Sequence, residues 1–107
     1  MSKMTLTEKD HGATVRMQVG DEVSVALAEN PSTGFLWAVD HLDEDALASA
    51  SDEYALAEGV GMGGGGTRTL TYRALKAGET KLAFKLWREW EGDVSVTQRF
   101  SVQLVVR

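Results

Sequence analysis

Alternation of apolar and polar side chains is the feature of this chain that most constrains its fold. Near the C-terminal end, Phe100, Val102, Leu104 and Val106 recur at every second position, and four earlier segments repeat the pattern. A period of two places these residues on one face of a β-strand, which is buried against a second layer. In chain order, the pattern predicts strands over 14–19, 22–27, 35–39, 54–58, 67–75, 81–87 and 98–106.

The only helical pattern is short. It covers residues 43–50, and the carboxylates of Asp43, Glu44 and Asp45 at its start suit the positive end of a helix. About seven short strands in 107 residues predict an all-β fold, an immunoglobulin-like β-sandwich with Greek-key connections. The length favours a single domain over residues 1–107. We expect Trp37, on the third predicted strand, to be buried in its core.

Three connections between the predicted strands have unusual compositions: residues 30–35, the glycine run 61–66, and the segment that begins with 88–90. Each strand crosses the sandwich, so successive connections alternate between its two ends. Because two strands separate each of these connections from the next, all three fall at the same end. Loops on a rigid sheet scaffold commonly carry function, so we expect this end to bind a partner.

The first connection has turn chemistry throughout. Pro31 restricts Asn30 to extended or turn conformations, Gly34 permits a positive φ, and Ser32 and Thr33 bring hydroxyls that bond nearby amides. Two interpretations remain open: a rigid turn, or a preorganised binding loop, which loses little entropy when it binds.

The glycine run also matches the dinucleotide-binding spacing G-x-G-x-x-G, but a strand follows it rather than the helix that such a site needs. Gly63, Gly64, Gly65 and Gly66 are therefore interpreted either as a flexible hairpin tip or as a backbone that can lie against another protein without side-chain clashes.

The third connection begins with Arg88, Glu89 and Trp90, in polar surroundings. Exposed tryptophan and arginine dominate the hot spots of protein interfaces. We expect Trp90 to be exposed rather than folded back onto the domain.

Composition and residue placement exclude several function classes. The net charge of −5 disfavours nucleic-acid binding, and no apolar run is long enough for membrane insertion. No signal peptide is present, so the chain is cytoplasmic as written, or periplasmic or secreted if a leader was removed. His11 and His41 lie away from the three connections, and no cysteine is available, so we expect no enzyme, metal site or cofactor.

The three connections together resemble the chagasin-like family of cysteine protease inhibitors. That family carries an Asn-Pro-Thr-Thr-Gly-Tyr/Phe loop, a Gly-x-Gly-Gly loop and an Arg-Pro-Trp loop, in this order. In this chain the matching residues are Asn30, Pro31, Ser32, Thr33, Gly34, Phe35, Gly63, Gly64, Gly65, Gly66, Arg88 and Trp90. Ser32 replaces the first Thr, and Glu89 stands where the family has Pro.

The resemblance implies a reversible and noncovalent inhibitor of papain-like cysteine proteases, with a wedge of three loops in the active-site cleft. We expect the protein to be a monomer. Thr33 would lie nearest the catalytic pair, the glycine run along one side of the cleft, and Trp90 on an aromatic patch at the other side, with Arg88 beside it. The alternative is a noninhibitory immunoglobulin-like adhesion or protein-binding module that uses the same loop end.

Overall fold

A computed structural model describes residues 2–56 and 65–107 of the chain. Eight strands form its framework, and three short 3₁₀ turns, Glu8–Asp10, Pro31–Thr33 and Glu89–Ser95, lie in the connections. The strands are β1 (Lys3–Thr7), β2 (Thr14–Met17), β3 (Glu22–Glu29), β4 (Leu36–His41), β5 (Leu47–Leu56), β6 (Gly66–Ala74), β7 (Gly78–Trp87) and β8 (Gln98–Val106).

The strands form two four-stranded sheets, in the orders β1-β3-β6-β5 and β2-β8-β7-β4. Apart from the two N-terminal strands, this division matches the two sheets of an immunoglobulin sandwich. The pairs β1–β3 and β2–β8 are parallel, and the other four strand pairs are antiparallel. The predicted all-β sandwich is confirmed, with eight strands in place of about seven.

The core consists of the inward-facing residues that the alternation identifies. Phe84 and Phe100 are fully buried, with ring centroids 6.3 Å apart, and Trp37 is 3% exposed. The Trp37 indole also donates its Nε1 hydrogen to the Ala28 carbonyl oxygen at 2.9 Å, which satisfies its polar group. Trp37 is thus a core residue, as predicted, and it lies next to the connection between β3 and β4.

The predicted helix at 43–50 is wrong. Asp43 instead forms a turn, in which its side chain accepts the Asp45 amide hydrogen at 3.0 Å, and β5 begins at Leu47. Leu47 pairs with Ala74 of β6 and is 1% exposed. Pairing with β6 and burial of Leu47 therefore override a weak local helix preference.

The sequence pattern also missed β1, in which Met4 and Leu6 alternate with polar residues. The strand is short, and its place beside β3 depends on a parallel pairing that is not evident from neighbouring segments. The predicted strand at 54–58 belongs to the longer β5, and residues 57 and 58 lie outside the described residues.

Candidate functional site

The connection between β3 and β4, residues 30–35, is named the Asn30 loop. Asn30 caps the 3₁₀ turn Pro31–Thr33, because its Oδ1 accepts hydrogen bonds from the Ser32 amide at 3.1 Å and from Ser32 Oγ at 2.6 Å. Asparagine and serine favour such local bonds at turns. The Ser32 hydroxyl therefore fixes the loop from within.

Thr33 closes the same loop. Its Oγ1 donates a hydrogen bond to the Asn30 carbonyl oxygen at 2.7 Å and accepts one from the Phe35 amide at 3.3 Å. Gly34 follows with φ +82°, in the left-handed region that favours glycine. The side chains of Pro31, Ser32 and Thr33 are exposed although their backbone is fixed by these bonds. The Asn30 loop is thus a preorganised protrusion.

Arg88 joins the Asn30 loop to the connection between β7 and β8, residues 88–97, named the Arg88 loop. Its Nε donates a hydrogen bond to the Thr33 carbonyl oxygen at 3.1 Å, and its guanidinium lies 4.4 Å from the centre of the Phe35 ring. A planar guanidinium can make both contacts at once from one rigid group. Arg88 therefore holds the two loops together, besides any contact that it could make with a partner.

The Arg88 loop is also braced internally. Ser95 Oγ accepts the Arg88 amide hydrogen at 2.9 Å and lies 2.7 Å from the Gly92 carbonyl oxygen, to which it can donate. Arg88 Nη1 lies 3.1 Å from Glu91 Oε1, an ion pair one turn along the chain. The loop is therefore closed by hydrogen bonds although Glu89 stands where the family motif has a proline.

Trp90 projects from the Arg88 loop and is 74% exposed, as predicted. Its ring edge lies against Gly34: a Cβ added to Gly34 would be 2.7 Å from Trp90 Cη2, closer than any normal contact. The positive φ favours glycine at position 34, and any larger residue there would displace the exposed indole.

The glycine run contributes two described residues to the same edge. A Cβ on Gly65 would be 3.3 Å from the Glu29 carbonyl oxygen and 3.5 Å from Asn30 Cβ, and one on Gly66 would overlap the Ala55 carbonyl oxygen. Gly65 therefore lies beside the Asn30 loop, on the side where the end of β3 pairs with β6. Gly63 and Gly64, the other two glycines of the predicted site, lie outside the described residues.

Ion pairs among Glu29, Arg68 and Asp52 form an ionic layer beneath the Asn30 loop. Glu29 is 5% exposed, accepts the Trp37 amide hydrogen at 2.7 Å, and pairs with Arg68 Nη1 at 3.1 Å. Arg68 also forms a two-bond ion pair with Asp52. Hydrogen bonds from Arg68 hold the pKa of the Asp52 carboxyl below its usual value, and the same bonds raise the pKa of Arg68. This layer fixes where β3 ends and the Asn30 loop begins.

Sequence reasoning missed this layer, although the alternation contains it. Glu29 follows Leu27 by two positions and is in phase with the buried residues of β3, and Arg68 precedes Leu70 in the same way on β6. When two strands are adjacent in one sheet, opposite charges at their inward-facing positions predict an ion pair.

Among the described residues, neither histidine forms a hydrogen bond with the Asn30 loop or the Arg88 loop. His41 ends β4, at the opposite end of the strand from the Asn30 loop, and His11 Nδ1 accepts the Ser101 amide hydrogen at 3.0 Å. Within residues 2–56 and 65–107, no three His, Asp or Glu side chains are placed to hold a metal ion.

None of the helices in the described part of the chain has the length and apolar composition needed to cross a bilayer.

Comparison with known proteins identifies relatives of this chain. The family model of the chagasin family peptidase inhibitors, I42, matches residues 16–104. Chagasin from Trypanosoma cruzi is 27% identical over 103 residues, covering 92% of this chain and 94% of chagasin. Amoebiasin-2 from Entamoeba histolytica is 28% identical over 103 residues, covering 95% of this chain and 84% of that protein.

A solved structure extends the comparison to the fold. The crystal structure of the cysteine protease inhibitor EhICP2 from Entamoeba histolytica matches with a TM-score of 0.91 and 28% identity. The match covers 100% of this chain and 97% of that one. The two proteins therefore share one fold.

Proposed function

The chain belongs to the chagasin family of peptidase inhibitors, and from that premise we propose that it is a reversible, noncovalent inhibitor of papain-like cysteine proteases. The Asn30 loop, the glycine run and the Arg88 loop form the inhibitory edge and enter the active-site cleft together. The family is one of inhibitors rather than enzymes.

One observation supports this proposal above the others: Arg88 and Trp90 both contact the Asn30 loop directly, at Thr33 and Gly34. With Gly65 beside Asn30 on the other flank, the Asn30 loop lies in the middle of a continuous edge. Such an edge loses little conformational entropy when it binds, which favours tight association through a small interface. A standard protease–inhibitor interface buries about 1,600 Å² in total.

The backbone of the Asn30 loop favours a noncovalent mode. A protease cleaves a peptide that lies extended in its cleft, whereas Pro31–Thr33 form a 3₁₀ turn and Gly34 is left-handed. Neither conformation presents a peptide bond in the extended register of a substrate. The loop therefore blocks the catalytic cysteine and histidine without being cleaved, with Thr33 nearest to them.

The flanking loops supply most of the contact area. Trp90 packs its exposed indole on an aromatic patch at one side of the cleft, as exposed tryptophans do at interface hot spots. Gly65 and its neighbouring glycines bring their backbone close to the other side, where hydrogen bonds can form as in strand addition. The inhibitor acts as a monomer and uses no cofactor.

Inhibition of papain and of cathepsin L tests the proposal. Each enzyme is assayed with a fluorogenic peptide at rising inhibitor concentration up to the micromolar range, then diluted to follow recovery. We expect activity to fall, to recover on dilution, and the inhibitor mass to remain unchanged. Full activity of both enzymes in excess inhibitor would contradict the proposal and favour a noninhibitory binding module.

A further inference from the structure

A shallow depression opens beside the Arg88 loop, on the β4 edge of the sandwich. Its walls include the indoles of Trp87 and Trp90 and the side chain of Leu36, and Glu89 lines it as well. Trp90 is 74% exposed and Leu36 is 43% exposed, so these apolar surfaces face solvent. We name this depression the Glu89 notch, defined by Leu36, Trp87, Glu89 and Trp90.

Glu89 differs from the other carboxylates of the Arg88 loop. Glu91 pairs with Arg88 at 3.1 Å, and Asp93 pairs with Lys85 at 3.0 Å. Within residues 2–56 and 65–107, the exposed Glu89 carboxylate has neither an ion pair nor a hydrogen bond. The loop therefore presents one uncompensated negative charge, on a residue that lines the notch.

Arg68 also lines the depression, but it does not make the depression positive. Its guanidinium pairs with both Glu29 and Asp52, so two carboxylates accompany one cation. The set of three carries one net negative charge, which adds to that of Glu89. The surroundings of the notch therefore attract a cation.

We propose that the Glu89 notch receives a lysine or arginine side chain from the rim of the target protease's cleft. The aliphatic stem packs against Leu36 and the indoles while the charged end faces Glu89, since long basic side chains combine an apolar stem with a polar tip. Indole faces attract cations, and Lys85 Nζ already lies 3.8 Å from the centre of the Trp87 ring within this chain.

This inference rests on the proposed inhibitory function and names the chemistry of the target. Proteases with a basic residue facing the Arg88 loop are inhibited more strongly than those with an acidic or neutral one. Charge at position 89 therefore selects among targets, while the Asn30 loop supplies the block of the cleft.

Charge variants at position 89 test the inference on papain and cathepsin L. The variants are Glu89→Gln, Glu89→Lys and Glu89→Asp, and the matched controls are Glu79→Gln and Glu79→Lys. Glu79 is exposed at the start of β7, at the opposite end of that strand from the Arg88 loop, and the controls change the net charge by the same amount. Inhibition constants are measured at low salt and at about 0.5 M NaCl, where screening removes most surface attraction.

For the enzyme that the wild type inhibits more tightly, we expect Glu89→Gln to raise the inhibition constant about threefold to fivefold at low salt. Glu89→Lys raises the inhibition constant further, whereas Glu89→Asp retains most of the affinity. High salt reduces the differences in inhibition constant between the variants and the wild type. With about 0.1 M salt as the low-salt buffer, the Debye length is about 10 Å, and Glu79 lies at the far end of β7. The Glu79 variants therefore leave the constant within about 1.5-fold.

The inference would be overturned if the wild type inhibits and the Glu89 variants inhibit as strongly as the Glu79 controls. The proposed function would then remain intact. Tighter inhibition by Glu89→Lys would also overturn it and indicate an acidic rim. Failure of the wild type to inhibit either enzyme would instead overturn the proposed function, and this inference with it.

Discussion

Arg88 and Thr33 lie 55 residues apart in sequence, yet Arg88 Nε donates a hydrogen bond to the Thr33 carbonyl oxygen at 3.1 Å. The same guanidinium lies over the Phe35 ring. Two loops from different parts of the chain thereby become one surface, and most of the expected outcomes below depend on that connection.

Gly34→Ala should weaken inhibition by more than its effect on stability explains. A Cβ at φ +82° costs about 1–2 kcal/mol of backbone strain, and it would also displace the Trp90 indole. We expect the inhibition constant to rise at least tenfold. Urea denaturation of the same variant measures its loss of stability.

Gly12→Ala is the matched control, because Gly12 has φ +83° and no atom lies within 4 Å of its added Cβ. Both variants should lose similar stability, but only Gly34→Ala should lose inhibition. Equal inhibition by the two would show that the contact between Gly34 and Trp90 is irrelevant to binding.

Arg88→Lys should separate charge from geometry. Lysine keeps the positive charge but cannot both donate from a fixed planar group to Thr33 and stack on Phe35. We expect inhibition to weaken about tenfold with less than about 1 kcal/mol lost in unfolding free energy. Arg99→Lys serves as control, since Arg99 of β8 pairs with Asp40 of β4 on the surface of that sheet. An unchanged inhibition constant for Arg88→Lys would argue against the joining role.

Trp90→Ala and Trp37→Ala should have opposite consequences. Trp90 is 74% exposed, so its removal should weaken inhibition by roughly 1–3 kcal/mol with little effect on stability. Trp37 is 3% exposed, and its removal should cost roughly 3–5 kcal/mol of unfolding free energy through a core cavity. Denaturation curves and inhibition constants for both variants decide this; unfolding of Trp90→Ala would place that residue in the core.

Thr33→Ala should impair inhibition more than Ser32→Ala. Both hydroxyls bond within the Asn30 loop, but Thr33 Oγ1 bonds on both sides of the turn, to Asn30 and to Phe35. Thr33 is also the residue proposed to lie nearest the catalytic pair. Inhibition constants of the two single variants provide the measurement, and equal or reversed effects would argue against that position.

Asp52→Asn should lower stability at neutral pH and matter less in acid. Arg68 lowers the pKa of folded Asp52, so the folded state binds this proton less tightly than the unfolded state. The stabilisation is therefore present above the unfolded pKa of about 3.9 and is lost as pH falls through the lower folded pKa. Urea denaturation at pH 7 and near pH 2.5 should show the gap to wild type narrowing. A gap that widens in acid would contradict this assignment; Asp45→Asn, in the turn before β5, is the control.

The sequence determined the sandwich because its signal is local. Leu82, Phe84 and Leu86 alternate within one strand, and burial of one face follows from that spacing alone. The helix predicted at 43–50 does not form, because Leu47 begins a strand that pairs with Ala74, 27 positions away. The missed β1 likewise depends on a nonlocal parallel pairing with β3.

The placement of two of the three connections at one end was predictable from the sequence, but their contacts were not. Parity along the strands placed the Asn30 loop and the Arg88 loop at one end, and the structure brings Thr33 and Arg88 into contact there. Arg88 joins two loops of the protein, and Glu29 and Arg68 form an ion pair beneath the Asn30 loop. These contacts depend on side-chain geometry, which sequence spacing does not predict. Both arginines bond acceptors from distant strands or loops.

Competition for the active-site cleft tests the central claim most directly. Binding of the chain to papain is measured by titration calorimetry, first with free enzyme and then with enzyme whose cleft is filled by a covalently attached peptidyl inhibitor. If the loop edge enters the cleft, heat of binding should appear with free papain and disappear when the cleft is filled. Equal affinity for the two forms would place the contact elsewhere and contradict the account.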